Sequence, residues 1–561
     1  MVAELPSQDE PVVADGGEAV GIPSLGGLAR GLLSAFARPA PVVRQVGRLA
    51  VDLTRVARGT EDFTPAPKDR RFADPAWRDN PLYRRWGQGY AVLGQALMGL
   101  VDELEAGGAE WHDVERARFA MNALTSALAP TNLLPGNPAA LKRAFDSGGR
   151  SLLRGARNLA TDVRHNGGMP AQTDRTAFRV GTDLAVTPGA VVHRSPVAEL
   201  LQYAPATDAV RCRPVLVIPP PIGRFYFLDL RPGRSFVEYA VSRGLQVFLL
   251  SWRNPGPDQA HWDFDTYAGE IERALEVVQE VSGSSDVDSL GFCAGGILQT
   301  TVLNRQAATG ATSIATASYG VTLLNFDDRA PLGAFSSPRL LEMAGKGSRR
   351  KGVITARSLG TVFSWMRPDD LVFNYLVSGW LMGDDPPVFD ILAWNADGTN
   401  LPARLHQQFL DVFRTNALCH PGTLTVLGSP VDLSTIEAPT FVTGGTTDHL
   451  TPWTGCYRTT TELSGPSTFV LSNAGHIASL VNPPGNPKAS YFEGGPAGAS
   501  PQDWLAGARQ RQGSWWDAWA SWQWDQSDEE RPALQQLGSA RHRPLEAAPG
   551  GYVVDRVAAP G

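Results

Sequence analysis

The stretch that most constrains this chain is Gly291-Phe292-Cys293-Ala294-Gly295-Gly296. The run before it, Val287 to Leu290, has strand character, and the run after it, Ile297 to Leu303, has helix character. The chain is therefore predicted to pass from strand to helix within a few residues. So sharp a turn strains the backbone of its central residue, and where the new helix crosses the strand there is no room for side chains. Gly291, Gly295 and Gly296 meet that requirement. Cys293 then stands at a helix N-terminus, where free N–H groups and the helix dipole favour a thiolate. Taken alone, the segment fits a catalytic thiol and a buried cysteine in a glycine-rich turn equally well.

A nucleophile on a strand–turn–helix is the arrangement of the nucleophile elbow, G-x-S-x-G in α/β-hydrolases, here with cysteine for serine. That fold presents nucleophile, acid and histidine in this chain order, the last two on loops after late strands. Pro439 to Gly444 is apolar and β-prone and leads into Gly445-Thr446-Thr447-Asp448-His449; Ser467 to Leu471 leads into Ser472-Asn473-Ala474-Gly475-His476. In both, the ionisable residue follows the strand's C-terminal end, where α/β sheets build their sites. Asp448 lies 155 positions after Cys293 and His476 lies 28 after Asp448. The first gap leaves room for an inserted cap and the second for one strand–helix–strand step.

Upstream, Val215 to Ile218 is an apolar strand followed by Pro219-Pro220-Pro221-Ile222-Gly223-Arg224. In this fold the loop after that strand supplies one oxyanion-hole N–H and the residue after the nucleophile supplies the other. Ala294 is the second kind of donor, and Ile222 or Gly223 the first. Helix-like Ser235 to Arg243, strand Leu245 to Leu250 and helix-like Tyr267 to Val281 continue the alternation up to the elbow, and Ser313 to Leu324 resumes it afterwards. Alternating β and α segments predict a mainly parallel central sheet covered on both faces, an α/β-hydrolase fold.

The rest of the chain differs in pattern. Residues 1–20 are polar and acidic and are expected to form a flexible tail. Residues 21–180 are expected to form a mainly helical N-terminal domain. Within it, Leu25 to Val56 alternates apolar residues with arginines, a pattern of helices that either lie on a lipid or polymer surface or pack on the next domain. Helices are predicted from Pro81 to about Glu105 and from Glu110 to Leu128, and extended chain near Phe178 to Gly181 and Ala190 to His193. The catalytic domain is expected over 181–561. Regular alternation is lost from about 326 to 437, which is read as a cap insertion, and the segment after Ser500 is rich in tryptophan. Those tryptophans are either a contact surface or a helix face packed on the body.

A formal net charge of −7 argues against nucleic acid as a partner. Cys212, Cys293, Cys419 and Cys456 are scattered without CxxC spacing, which suits a reduced, cytoplasmic protein. No apolar run approaches the ~20 residues of a membrane helix. No metal-ligand spacing, P-loop or dinucleotide fingerprint is present, so neither metal nor cofactor is expected. His449 lacks a strand-end loop of its own, and the adjacent pair Cys419-His420 does not converge on one point, so neither displaces Cys293 and His476.

Beyond the elbow, the chain resembles polyhydroxyalkanoate synthases. The resemblance is carried by Asp74-Pro75-Ala76-Trp77 through Asn80-Pro81-Leu82-Tyr83, Ala129-Pro130-Thr131-Asn132, Ser251-Trp252-Arg253-Asn254-Pro255, the Trp394 segment, Asp448-His449-Leu450-Thr451-Pro452-Trp453 and Gly475-His476-Ile477. It covers roughly residues 70 to 520 and is closest to the single-subunit type. The chain departs from some members at Asn325, where an acid often stands, and at Gly223, where several have a polar residue.

The resemblance implies polymerisation of (R)-3-hydroxyacyl-CoA, with release of CoA, through an acyl group on Cys293 activated by His476. Asp448 either orients His476 or acts as base toward the 3-hydroxyl. Short-chain units such as 3-hydroxybutyrate are expected, as are a homodimer, a cytoplasmic location at the surface of polyester granules and contacts with granule-associated proteins. The alternatives on the same scaffold are a thioesterase or polyester depolymerase, and from another class a non-catalytic granule-surface protein.

Overall fold

Apolar runs such as Val215–Ile218, buried at every position, cannot face water on either side and are placed inside a large sheet. The computed structural model describes residues 39–60, 69–327, 338–496, 498–527 and 529–555, and its chain falls into two units. One comprises Thr176–Arg357 with Ala393–Gly561, the other Met1–Arg175 with Ser358–Leu392. The proposed tail at 1–20 and the first part of the Leu25 to Val56 stretch lie outside the described residues.

The first unit is built on a sheet whose strands, in chain order, are β1 (Gly189–Arg194), β2 (Ala198–Tyr203), β3 (Val215–Ile218), β4 (Val247–Trp252), β5 (Val287–Phe292), β6 (Ile314–Gly320), β7 (Thr440–Gly445), β8 (Ser467–Ser472), β9 (Ser490–Glu493), β10 (Arg509–Gln512) and β11 (Glu546–Ala547). Across the sheet they run β10-β9-β8-β7-β6-β5-β3-β4-β2-β1-β11. The pairs from β4 through β3, β5, β6 and β7 to β8 are parallel, and the outer pairs are antiparallel. This is the mainly parallel sheet of an α/β-hydrolase fold, and because its central strands point the same way their C-terminal loops emerge on one edge.

Local signals set the crossover helices. Asp263 caps the helix Phe264–Ser282 by accepting the Thr266 amide at 3.1 Å, while Thr266 Oγ1 accepts the Asp263 amide, and Gly283 ends the helix at φ +66°. The Trp-rich segment is a packed helix face. In the helix Trp515–Gln526, Trp515, Trp516 and Trp519 are buried, and their indoles donate to Ser479 O, Leu480 O and Ser318 Oγ. Extended chain expected at Phe178 to Gly181 is instead a turn, with the amides of Thr182, Asp183 and Leu184 on the Arg179 carbonyl and Gly181 at φ +83°.

The other unit is helical. Asn80 accepts the amides of Leu82 and Tyr83 at the start of the helix Pro81–Ala106, where proline takes the first position, and Asn137 starts Pro138–Asp146 in the same way. Val101, Val114 and Met121 form its buried centre between Pro81–Ala106 and Trp111–Ala127. The helix Pro39–Arg58, from the arginine-punctuated stretch, packs against Pro81–Ala106 and buries Val56, while Val43, Val46 and Val51 stay exposed.

Residues 358–392, within the stretch read as a cap, belong to this unit. Arg71 donates to Asp369 at 2.7 Å, Trp380 Nε1 to Asp162 at 2.7 Å, and Asn158 to the carbonyls of Gly379 and Asp384 at 3.0 Å each. Gly155 admits the Trp380 carbonyl so closely that a Cβ would lie 1.9 Å from it. Residues 393–437 belong with the sheet. No helix among the described residues is long and apolar enough to cross a membrane.

Candidate active site

The elbow between β5 and the helix Ala294–Thr309 has the geometry its glycines require. Cys293 has φ +50° and ψ −121°, a conformation L residues rarely adopt, and its amide donates to Gly320 O at 2.9 Å. A Cβ on Gly291 would stand 2.5 Å from Gly296 Cα, one on Gly295 2.2 Å from Ile218 O, and one on Gly296 2.3 Å from Thr322 Oγ1. Thr322 in turn donates to the Cys293 carbonyl at 3.2 Å. The helix start is thereby pressed against the ends of β3 and β6.

β7 and β8 pair in parallel, with Gly445 opposite Ser472, so the loops carrying Asp448 and His476 leave the sheet side by side. The loops are also stitched together: Thr446 N donates to Ser472 O at 2.8 Å and Thr447 N to Ala474 O at 3.2 Å. His476 Nδ1 meets Asp448 Oδ2 at 2.7 Å. Asp448 further accepts the Leu450 and Thr451 amides at 2.8 and 2.9 Å and the Thr451 hydroxyl at 2.7 Å. The Cys293 side chain also acts on this imidazole, favouring its charged form.

Asp448 and His476 are buried, whereas Cys293 is partly exposed. Burial opposes charge on His476, but the Asp448 carboxylate and the hydrogen bonds to Asp448 and Cys293 outweigh it and raise the imidazole well above its ordinary value. Burial likewise opposes ionisation of Asp448, and His476, helped by the Thr451 donors, overcomes it and holds the carboxyl low. The arrangement can deprotonate a thiol and hold the resulting ion pair.

The other sequence candidates sit elsewhere or in different roles. Burial, with the Glu462 and Asp327 carboxylates nearby, pushes the Cys419 thiol up to about 12, and its sulfur faces Leu324 O at 3.5 Å; His420 binds Asn416 O. The imidazole of His476 is hydrogen-bonded to Asp448 at 2.7 Å. Ala294 opens the elbow helix, where amides have no partner inside the helix. The Gly223 amide donates to Thr399 Oγ1 at 2.8 Å. Among the described residues, no group of three metal-ligating side chains occurs.

Sequence reading passed over Thr451, Thr322 and Thr399. Of these only Thr451 left a signal, a hydroxyl three positions after an aspartate in a turn, a spacing at which the side chains meet.

Residues 68–240 match the family model described as Poly-beta-hydroxybutyrate polymerase (PhaC) N-terminus, and residues 231–483 match the alpha/beta hydrolase fold. The chain is 42% identical to Poly(3-hydroxyalkanoate) polymerase 2 of Ectopseudomonas oleovorans, over 91% of its own length and 90% of that protein's. To Poly(3-hydroxyalkanoate) polymerase subunit PhaC of Cupriavidus necator it is 41% identical, over 89% and 85% of the two chains. A soluble variant of monoglyceride lipase from Saccharomyces cerevisiae, solved with a substrate analog, is 12% identical over 62% of this chain and 98% of that one, with a TM-score of 0.34. Given identity at this level across almost the whole chain, on an α/β-hydrolase sheet with an elbow cysteine, the chain belongs to the poly(3-hydroxyalkanoate) polymerases, acyltransferase-type enzymes.

Proposed function

We propose that the protein polymerises (R)-3-hydroxyacyl-CoA through an acyl-thioester on Cys293, with Asp448, His476 and Cys293 as its catalytic relay. The observation that carries this is the Asp448–His476 contact at the ends of β7 and β8, with Cys293 at the end of β5 favouring the charged form of the same imidazole. With Nδ1–H directed at Asp448, Nε2 of His476 is the atom that takes the thiol proton. The thiolate attacks the substrate carbonyl carbon, the bond to CoA sulfur breaks, and the CoA thiolate leaves with the proton from His476. One thioester replaces another, so the acyl group stays activated. The 3-hydroxyl of a second unit then attacks the Cys293 thioester; its proton passes to a base, an ester forms, and Cys293 is released.

Asp448 is proposed to orient His476 and stabilise the imidazolium. A carboxylate held low by four donors is a weak base toward a hydroxyl, which favours orientation over direct proton abstraction. The developing oxyanion is assigned to the amides of Ala294 and Ile222. Pro219, Pro220 and Pro221 have no N–H, so Ile222 carries the first amide after β3, and the Gly223 amide is engaged by Thr399. No cofactor enters this scheme.

The matched family description names poly-beta-hydroxybutyrate, which makes (R)-3-hydroxybutyryl-CoA the first substrate to test. We further propose a cytoplasmic homodimer acting at polyester granules, where granule-associated proteins also bind. Exposed Phe145 and Leu153 on the helical unit are apolar groups that a polymer surface would accept. The decisive experiment gives (R)-3-hydroxybutyryl-CoA, and longer acyl-CoAs in parallel, to wild type and Cys293→Ala, following free CoA and weighing insoluble polyester against free acid. CoA release with polyester in wild type alone is the expected result; free acid instead would make the enzyme a thioesterase.

A further inference from the structure

We infer that Thr399 is a positioning residue for the oxyanion hole, acting by locking the peptide that carries the Ile222 amide. This rests on the catalytic reading above and goes beyond it.

The Thr399 side chain is buried, and its hydroxyl makes two bonds to one short loop. Oγ1 donates to Pro221 O at 3.2 Å and accepts the Gly223 amide at 2.8 Å. These two groups flank Ile222. The Pro221 carbonyl belongs to the same planar peptide as the Ile222 N–H, and in a trans peptide the two point in opposite directions. Among the described residues the one cis bond is Ala548-Pro549, so the Pro221-Ile222 peptide is trans. Fixing the carbonyl on Thr399 therefore fixes the direction of the Ile222 N–H on the other side. The Gly223 amide lies in the next peptide, so the one hydroxyl restrains rotation on both sides of Ile222.

The surrounding contacts hold the same register. Trp394 Nε1 donates to Arg224 O at 2.7 Å, and the Arg224 guanidinium pairs with Asp397 at 3.2 Å, which also accepts the Tyr226 hydroxyl at 3.0 Å. Gly223 adopts φ +94°, and a Cβ there would meet the Trp394 ring at 3.3 Å, so the loop is fitted against this segment. Asn400 continues the fastening, with its amide on Asn254 Oδ1 at 2.9 Å. The Trp394 to Asn400 segment is thus a template for the loop, and Thr399 is its point of contact with the two peptides that matter.

An oxyanion forms when a thiolate adds to a thioester carbonyl, but not when it displaces iodide from iodoacetamide. The test compares these two reactions of Cys293 in wild type, Thr399→Val, Thr399→Ser and Cys293→Ala. Acylation is read as single-turnover CoA release from (R)-3-hydroxybutyryl-CoA, or from (R)-3-hydroxyoctanoyl-CoA where that is faster, and alkylation from iodoacetamide labelling. For Thr399→Val, acylation is expected to slow by on the order of 10- to 100-fold, the penalty of a misplaced group. Its KM and its alkylation rate should stay within about twofold of wild type, a difference of only a few tenths of a kcal/mol. Thr399→Ser, which keeps the hydroxyl, is expected to restore acylation. Wild-type acylation in Thr399→Val, or an equal loss of acylation and alkylation, would overturn the inference. Turnover by Cys293→Ala would instead remove the catalytic reading on which it rests.

Discussion

The carboxylate of Asp448 lies 2.7 Å from Nδ1 of His476, and this one contact fixes which imidazole nitrogen is engaged and which is left to exchange a proton. Replacing Asp448 by Asn keeps the shape but offers Nδ1 a donor or a neutral oxygen, so the tautomer and the imidazolium are no longer held. Asp448→Asn is expected to lower the rate of CoA release by about 10³- to 10⁴-fold, the loss seen when a triad acid becomes an amide. Circular dichroism unchanged from wild type would show that the loss is chemical.

Thr451 supplies Asp448 with a backbone and a hydroxyl donor, and the hydroxyl is also 3.1 Å from His476 Nδ1. Thr451→Val removes only the hydroxyl, leaving Asp448 Oδ2 to His476 alone. A hydrogen bond to a charged group is worth about 1.5–3 kcal/mol, so kcat is expected to fall by roughly 10- to 100-fold. Steady-state kinetics with a saturable acyl-CoA checks this, and an unchanged kcat would refute it.

His476 gives a pH dependence of stability whose sign is fixed by the direction of its shift. Its imidazole is raised in the folded protein, so the charged form stabilises the fold. That contribution is fully present below the ordinary value near 6.5 and is lost as pH rises through the folded value. In a Cys293→Ser background the urea midpoint is expected to fall as pH is raised from about 7 to 9. Adding His476→Gln should flatten that slope.

Gly295 faces the end of β3 with no room for a methyl group, a Cβ there standing 2.2 Å from Ile218 O and 2.7 Å from Pro219 O. Both neighbours are backbone atoms at the buried end of β3 and cannot swing aside. Gly295→Ala is expected to cost about 1–3 kcal/mol or more and to lower the thermal midpoint measurably. Thermal unfolding of purified protein measures it.

Trp519 is fully buried against the sheet with its indole on Ser318 Oγ at 3.1 Å. Trp519→Ala is expected to destabilise by about 3–5 kcal/mol, while Arg511→Ala on the exposed edge strand should stay within about 0.5 kcal/mol. Denaturant unfolding of both variants distinguishes a packed helix face from a loosely held tail.

Much of the site could be read in advance because its requirements are local. A turn with no room for side chains needs Gly291, Gly295 and Gly296, and Cys293 stands among them. Asp448 and His476 each follow a β-prone run, so their approach follows from the parallel pairing of two adjacent strands. Trp515, Trp516 and Trp519 could face solvent or core with equal ease in sequence, and only the position of their helix against the sheet decides.

The sequence by itself determined the α/β alternation, the strand–turn–helix at Cys293 and the placing of Asp448 and His476 on adjacent strand-end loops, because strand period, turn sterics and strand-end loops act over a few positions. Tertiary structure alone decided that residues 358–392 belong with the helical unit and that Thr399 takes the Gly223 amide. Both depend on contacts between segments some 180 to 300 positions apart, such as Gly223 with Thr399 and Arg71 with Asp369. No local propensity encodes them; they follow from which surfaces and hydrogen-bonding groups remain to be satisfied once the sheet and the helices have formed.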